Sequence, residues 1–230
     1  MTRDSFRALA HAAAARYPTR DRTARYFASG KLTRDPAFEY ILREKLIPSE
    51  GPVVDLGCGQ GVLAALLAAA GEEVSRVRGI DLMPRDIERA KSAHTGAEFV
   101  VGDIRTTPFG PARCVVILDV LHYIDFAAQE GVLRRVRESL AQGGVLLLRV
   151  GDASGSLRFR ITVAVDRAVM AMRGHRLERL WCRPLAEWIA LLEKLGFAVR
   201  AQPMSRGTPF ANVLLVARYD PPAPRESHTK

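Results

Sequence analysis

The 230-residue chain has few cysteines, few aromatic residues and fewer acidic than basic residues. Cys58, Cys114 and Cys182 are far apart and form no Cys-x-x-Cys pair, which disfavours both a disulfide framework and a metal site. No stretch approaches the ~20 apolar residues that a transmembrane helix needs. These absences predict a soluble protein of the reducing cytoplasm, with no transmembrane segment.

The charge is unbalanced, at +9 for the whole chain with an isoelectric point near 10.0. A basic surface attracts nucleic acids, anionic membranes or acidic proteins. A genome rich in arginine codons explains the same excess equally well. No run of lysine and arginine interleaved with aromatic residues is present, and such runs are typical of nucleic-acid binding. We therefore expect no specific nucleic acid partner.

The most informative stretch is residues 53–61, Val-Val-Asp-Leu-Gly-Cys-Gly-Gln-Gly. A short apolar strand leads into three closely spaced glycines, and a helix is predicted from Val62 to Ala70, as in a mononucleotide-binding unit. A dinucleotide fingerprint needs glycine where Val62 stands. Asp55 would repel a pyrophosphate, whereas it would attract an ammonium group. The stretch therefore favours a cationic, phosphate-free cofactor.

Four further segments follow in order, each placing polar residues or a turn at the end of a predicted strand. These segments are Val77–Leu82 with Asp81, Phe99–Ile104 with Asp103, Cys114–Tyr123 with Asp119, and the turn before a fifth strand at Leu140–Arg149. Because the carboxyl ends of parallel strands share one edge of a sheet, these carboxylates are expected to converge there.

Together these five segments closely resemble the motifs of class I S-adenosylmethionine-dependent methyltransferases, over roughly residues 50 to 218. The resemblance implies an α/β fold: a Rossmann-like, doubly wound, mostly parallel seven-stranded sheet with the last strand antiparallel and helices on both faces. It implies S-adenosylmethionine as cofactor, with Asp55 toward the ammonium, Asp81 toward the ribose and Asp103 near adenine. The full set of expected cofactor contacts is Lys31, Asp55, Gly57, Cys58, Gly59, Gly61, Asp81, Leu82, Asp103, Ile104 and Asp119.

The chain divides into an N-terminal helical extension or lid (1–50), a methyltransferase domain (51–219) and a disordered tail (220–230). In the extension, Ala8–Ala15 is expected to be an amphipathic helix rather than a signal peptide. Ser29-Gly30 is expected to interrupt a helix, and Asp35-Pro36 to start another that ends near Leu46. After the fifth strand, residues 151–183 are expected to form a helical cap insert. A helix at Leu185–Leu195 and two antiparallel strands are expected to follow.

His122 and Tyr123 are the candidate catalytic residues, because they follow the fourth strand at the ligand edge of the sheet. His122 would accept a proton from a hydroxyl nucleophile; the competing interpretation is packing against the cofactor. An Asn/Asp-Pro-Pro-Tyr-type motif, which amino-group methylation would favour, is missing here.

The cap insert mixes apolar residues with arginines such as Arg158, Arg160 and Arg167. It is compatible with a solvated helix face, or with a hydrophobic acceptor presented by an acidic carrier protein or a membrane. The leading hypothesis is methyl transfer by in-line displacement to a small lipid-, polyketide- or aryl-like acceptor. The alternatives are an RNA methyltransferase and a non-catalytic cofactor-binding protein of the same fold. The sequence leaves the oligomeric state open.

Overall fold

The computed structural model describes residues 1–153, 180–204 and 211–219. Its central feature is one seven-stranded sheet in the order β3-β2-β1-β4-β5-β7-β6, in which β7 runs antiparallel to both neighbours and the remaining pairs are parallel. The predicted sheet is thereby confirmed. The strands are β1 (Val53–Leu56), β2 (Val77–Asp81), β3 (Glu98–Val101), β4 (Ala112–Leu118), β5 (Leu140–Gly151), β6 (Phe197–Pro203) and β7 (Asn212–Tyr219).

Seven α-helices and one 3₁₀ turn (Leu121–Tyr123) accompany the sheet in the described residues. As predicted, Pro36 occupies the first turn of a helix that the Asp35 side chain caps. No helix in this part of the chain is long and apolar enough to cross a membrane. The helices are α1 (Arg3–Ala15), α2 (Arg22–Arg34), α3 (Pro36–Arg43), α4 (Val62–Ala69), α5 (Pro84–Ser92), α6 (Phe126–Ser139) and α7 (Leu185–Lys194).

The helices form two layers, because successive strand residues point to opposite faces of the sheet. On one face, Val53 and Cys114 pack with the buried residues of α1 to α5. On the other, Val54 and Val115 pack with α6 and α7. The helices of the N-terminal extension therefore share one hydrophobic core with this face of the sheet.

One sequence prediction about the N-terminal extension is wrong in detail. The Ser29-Gly30 pair does not break a helix, since α2 continues through it with Ala28 and Leu32 fully buried on either side. Burial of that face outweighs the ~1 kcal/mol that a mid-helix glycine costs. Residues 102–111 connect β3 to β4 without a helix.

The predicted cap insert is described only at its two ends, 151–153 and 180–183. Arg158, Arg160 and Arg167 lie outside the described residues, as does the predicted tail at 220–230.

Candidate functional site

The glycine loop between β1 and α4 holds its three glycines at φ values of +75° (Gly57), +52° (Gly59) and +73° (Gly61). A Cβ atom on Gly57 would overlap the side chain of Val120, and one on Gly61 would lie 2.8 Å from the Phe99 ring. A Cβ on Gly59 would meet no other atom within 4 Å in the described structure. Close packing against Val120 and Phe99 thus leaves no room for a side chain at Gly57 and Gly61. Gly59 instead leaves open space in which a ligand can approach the backbone.

Asp81 at the end of β2 anchors this loop. Its Oδ2 accepts a hydrogen bond from the Gly59 N–H at 2.7 Å, and its Oδ1 accepts one from the Met83 N–H at 2.9 Å. The backbone carbonyl of the same residue accepts from the N–H of Gly102, directly before Asp103. Asp81 therefore joins the ends of β1, β2 and β3 at the carboxyl edge of the sheet.

Asp55 is buried within β1, beneath the loop. Burial, together with the nearby negative charge of Asp81, raises its pKa to about 7. No ion pair joins Asp55 to any other described residue. A cationic ligand would stabilise this carboxylate, whereas a phosphate would add a third negative charge. The two carboxylates, Asp55 and Asp81, therefore fit an ammonium-bearing, phosphate-free cofactor.

Cys58 fills the space beneath the glycine loop. Its side chain is buried in the hydrophobic core, and burial raises the pKa of its thiol above the ordinary range. The thiol is therefore neutral and unreactive at physiological pH, as expected for a small residue that packs the loop.

The predicted adenine side of the site is formed by residues that follow β2 and β3. Leu82 is 59% exposed, which is unusual for a leucine and leaves its side chain free to contact an apolar ring. Hydrogen bonds from Arg105 lower the pKa of Asp103 and keep it ionised. The Ile104 side chain is buried in the core, so only its backbone is placed to contact a ligand.

Asp119 at the end of β4 belongs to a ring of four charges that also contains Lys31, Asp35 and Arg149. Lys31 Nζ lies 3.1 Å from Asp119 Oδ2 and 3.0 Å from Asp35 Oδ2. Arg149 Nε donates to Asp119 Oδ1 at 2.7 Å, and its two Nη groups bind Asp119 and Asp35. The four-charge ring therefore ties α2 and the start of α3 to the carboxyl ends of β4 and β5.

Electrostatics keep both carboxylates of the four-charge ring ionised. Burial alone would raise the pKa of Asp119 and of Asp35, but the charges of Arg149 and Lys31 outweigh it and hold both values below the ordinary range. Asp119 also adopts φ = +61°, which is uncommon for a residue with a side chain. Lys31, expected to contact the cofactor, thus has its charge neutralised by Asp35 and Asp119.

Sequence inspection missed Arg149, Asp35 and Tyr17 as parts of the site. An arginine that ends an apolar strand is a usable signal, because a buried guanidinium needs carboxylate partners. Tyr17 lies between α1 and α2, and its buried hydroxyl donates to the Gln60 carbonyl of the glycine loop at 2.7 Å. No sequence motif marks this contact.

His122 and Tyr123 lie in the 3₁₀ turn after β4, with their ring centroids 4.1 Å apart. Burial lowers the pKa of His122 to about 4, against the opposing charge of Asp119. The imidazole is therefore neutral near pH 7. The rings of Phe126 and Trp181 pack edge to face nearby, with their centroids 5.1 Å apart. The backbone N–H of Trp181 donates to the backbone carbonyl of His122.

Gln129 on α6 holds this aromatic end together. Its Nε2 donates to the carbonyls of Leu121, Ile124 and Trp181, and its Oε1 accepts from Arg183. The segment that follows the insert is thereby fixed to the turn that carries the candidate catalytic residues.

The structure thus brings the predicted residues of β1, β2, β3 and β4 to one edge of the sheet, and Lys31 reaches that edge from α2. The sequence of residues 53–144 matches the family model described as a methyltransferase domain. Over 117 residues, the chain is 32% identical to a carboxy-S-adenosyl-L-methionine synthase of Salmonella paratyphi C, covering 47% of each sequence. The chain therefore spans about half the length of the curated relatives it matches.

Solved structures share the fold. Magnesium protoporphyrin IX methyltransferase from Synechocystis PCC 6803, with S-adenosylhomocysteine (SAH) bound, superimposes with a TM-score of 0.61 at 20% identity, over 83% of each chain. A mitomycin 7-O-methyltransferase superimposes with a TM-score of 0.59 at 24% identity, over 86% of this chain and 58% of the other. At these identities the likeness establishes the architecture.

Proposed function

We propose that the chain is a class I S-adenosylmethionine-dependent methyltransferase that transfers a methyl group to a small hydrophobic acceptor. When bound, S-adenosylmethionine supplies an activated methyl group on a sulfonium. The protein's task is then to position both reactants and to exclude water.

This proposal rests on two carboxylates, Asp55 under the glycine loop and Asp81 beside it. Asp55 is buried with a pKa of about 7, so a ligand ammonium stabilises its ionised form. Asp81 would hold the ribose hydroxyls while it fixes Gly59. Leu82 and Asp103 would contact the adenine, and Asp119 would lie beside the methionine end.

The acceptor would bind beside the 3₁₀ turn after β4. The rings of His122, Tyr123, Phe126 and Trp181 give this end an aromatic, largely apolar character that suits an aryl or polyketide-like group. Neutral His122 would accept a hydrogen bond or a proton from a hydroxyl of the acceptor. Two similar solved structures are named as methyltransferases of a porphyrin and of mitomycin, which supports a small-molecule acceptor.

The partner that presents the acceptor is part of the same proposal. The chain's net charge of +9 and its arginine-rich insert favour an anionic partner that presents the acceptor, either an acidic carrier protein or a membrane surface. The arginines concerned lie outside the described residues, so this part rests on sequence alone.

The proposal is tested by supplying methyl-labelled S-adenosylmethionine with four acceptor classes. These are free hydroxyaryl acids, the same acids as thioesters on an acidic carrier protein, lipid vesicles and RNA. Label on a hydroxyaryl acid or its thioester, lost in His122→Phe, is the expected result. Label on RNA alone would establish the RNA methyltransferase alternative instead.

Calorimetry with S-adenosylhomocysteine completes the test. Tight binding without transfer to any acceptor would favour a non-catalytic cofactor-binding protein. Because the curated relatives are named as carboxy-S-adenosyl-L-methionine synthases, the mass of the nucleoside extracted from the purified protein provides a further check. A carboxylated cofactor would overturn methyl transfer as the main activity.

A further inference from the structure

A pocket of about 390 Å³ lies between α1 and α2, and none of its lining residues is among those proposed to hold the cofactor. Its volume falls within the ~300–1,000 Å³ of small-molecule sites. Its lining, here called the α1–α2 pocket, consists of His11, Ala14 and Ala15 from α1, Thr19 from the connection, and Arg22, Arg25, Tyr26 and Ser29 from α2.

The charged residues of the α1–α2 pocket all have the same sign. Arg22 and Arg25 are three residues apart and share one face of α2, and no carboxylate is among the lining residues. Between residues 5 and 30 the sequence has five arginines and a single acidic residue, Asp21. The pocket is therefore strongly biased toward anions.

Asp21 does not neutralise this bias, because its two oxygens are already engaged. Oδ1 accepts the Ala24 N–H at 3.0 Å as the cap of α2, and Oδ2 binds Arg89 Nε at 3.0 Å. These contacts keep its pKa below the ordinary value.

Arg22 and Arg25 differ from several other arginines of the described structure. Arg89, Arg149 and Arg183 each pair with a carboxylate, whereas Arg22 and Arg25 form no ion pair within the described ranges. Two guanidinium groups on one wall repel each other, and an oxyanion between them would remove that repulsion while accepting charge-assisted hydrogen bonds.

The rest of the lining has mixed character. The Tyr26 ring is 70% exposed at the pocket, and the hydroxyls of Thr19 and Ser29 lie on either side of the arginines in the sequence. An exposed ring beside a guanidinium pair suits a planar apolar group that carries a negative charge.

We propose that the α1–α2 pocket binds an oxyanion, a carboxylate or a phosphate, joined to a planar apolar group. The pocket is built on the two helices that also contact the proposed site: Tyr17 binds the Gln60 carbonyl of the glycine loop, and Lys31 binds Asp119. Occupancy of the pocket does not depend on the proposed methyl transfer.

The proposal is tested by titrating the full chain with phenyl phosphate, benzoate, inorganic phosphate and phenol, by calorimetry and by NMR. Phenyl phosphate or benzoate is expected to bind more tightly than inorganic phosphate or phenol. Whichever of the two binds more tightly identifies the oxyanion as phosphate or carboxylate. Absence of binding by both would overturn the proposal.

Variants then locate the site. Arg22→Gln/Arg25→Gln is expected to weaken binding by ~10-fold or more, the loss of at least one charge-assisted hydrogen bond. The matched control, Arg3→Gln/Arg7→Gln, removes the same charge from α1 outside the pocket and should leave the affinity nearly unchanged. Equal weakening by both variants would mean that net charge alone attracts the probe, and would refute the pocket.

Binding of S-adenosylhomocysteine is measured on the same samples. An unchanged cofactor affinity shows that the Arg22→Gln/Arg25→Gln variant is folded, so a lost probe affinity is assigned to the pocket. If the wild type binds the probe but not S-adenosylhomocysteine, the pocket stands while the proposed function fails.

Discussion

Arg149 donates hydrogen bonds to both carboxylate oxygens of Asp119 while its own side chain is only 1% exposed. A guanidinium so deeply buried persists only with carboxylate partners, and Asp35 supplies the second. Lys31 balances the charge, so the four-charge ring holds two positive and two negative groups. This ring fixes the N-terminal extension to the edge of the sheet where the cofactor residues converge.

Replacing Arg149 with methionine is expected to lower the free energy of unfolding by about 3–5 kcal/mol. The reason is that Asp119 and Asp35 would be left with Lys31 as their only cationic partner in the four-charge ring. Urea denaturation with linear extrapolation measures the change.

The control is Arg43→Gln, which breaks ion pairs of a half-exposed arginine with Glu39 and Glu44 and should cost less than ~1 kcal/mol. Similar losses in both variants would mean that the four-charge ring contributes no more than a surface pair.

The contrast between the glycine loop and the four-charge ring shows what the sequence can predict. The loop, β1 and α4 lie within twenty residues, so local patterning was sufficient to place Gly57, Gly59 and Asp55. Asp35 and Arg149 are 114 positions apart, and only the assembled fold brings them together. The same holds for α2: local propensity favoured a break at Ser29-Gly30, whereas burial of Ala28 and Leu32 keeps the helix intact.

Gly59→Ala is expected to weaken cofactor binding much more than it weakens the fold. The added Cβ enters open space above the loop, so the cost to folding is about the 1–2 kcal/mol of a left-handed alanine. The same methyl group would occupy the space through which a ligand approaches. Calorimetry with S-adenosylhomocysteine, together with denaturation, separates the two effects.

Gly71→Ala is the matched control, since Gly71 also has a positive φ (+80°) and open surroundings but follows α4 at its far end. It should show the same loss of stability with normal affinity. An equal loss of affinity in both variants would contradict a ligand-facing role for Gly59.

Gln129→Leu is expected to loosen the aromatic end of the site. The substitution removes the Nε2 donor that the carbonyls of Leu121, Ile124 and Trp181 share, while the Leu121 carbonyl keeps the Ile124 N–H. Loss of a shared buried donor costs roughly 1–3 kcal/mol, partly relieved by local opening. Hydrogen exchange should therefore accelerate in residues 121–124 and 180–183 while the glycine loop keeps its protection. Uniform acceleration across the sheet would instead indicate global destabilisation.

Cofactor affinity is expected to increase with pH through the ionisation of Asp55. With a pKa of about 7 in the free protein, Asp55 is mostly protonated at pH 5.5 and mostly ionised at pH 7.5. An ammonium group binds the ionised form, so the Kd of S-adenosylhomocysteine should fall roughly 25-fold over this range. Near pH 6, binding should release close to one proton, which calorimetry in buffers of different ionisation enthalpy detects.

Asp55→Asn supplies the control, and it has opposite expected effects on binding and on stability. Without the carboxylate, affinity should be weak and independent of pH, with no proton released. In the free wild type, the raised pKa means that the native state keeps a proton which the unfolded chain loses above its value of 3.8. The contribution of Asp55 to stability is therefore full below that pH and falls as the pH rises toward 7. At pH 7.5 the free variant should consequently be more stable than the wild type. Ligand binding should stabilise the variant against unfolding less than it stabilises the wild type. A variant that is destabilised and still binds in a pH-dependent manner would show that a group other than Asp55 binds the ammonium of the ligand.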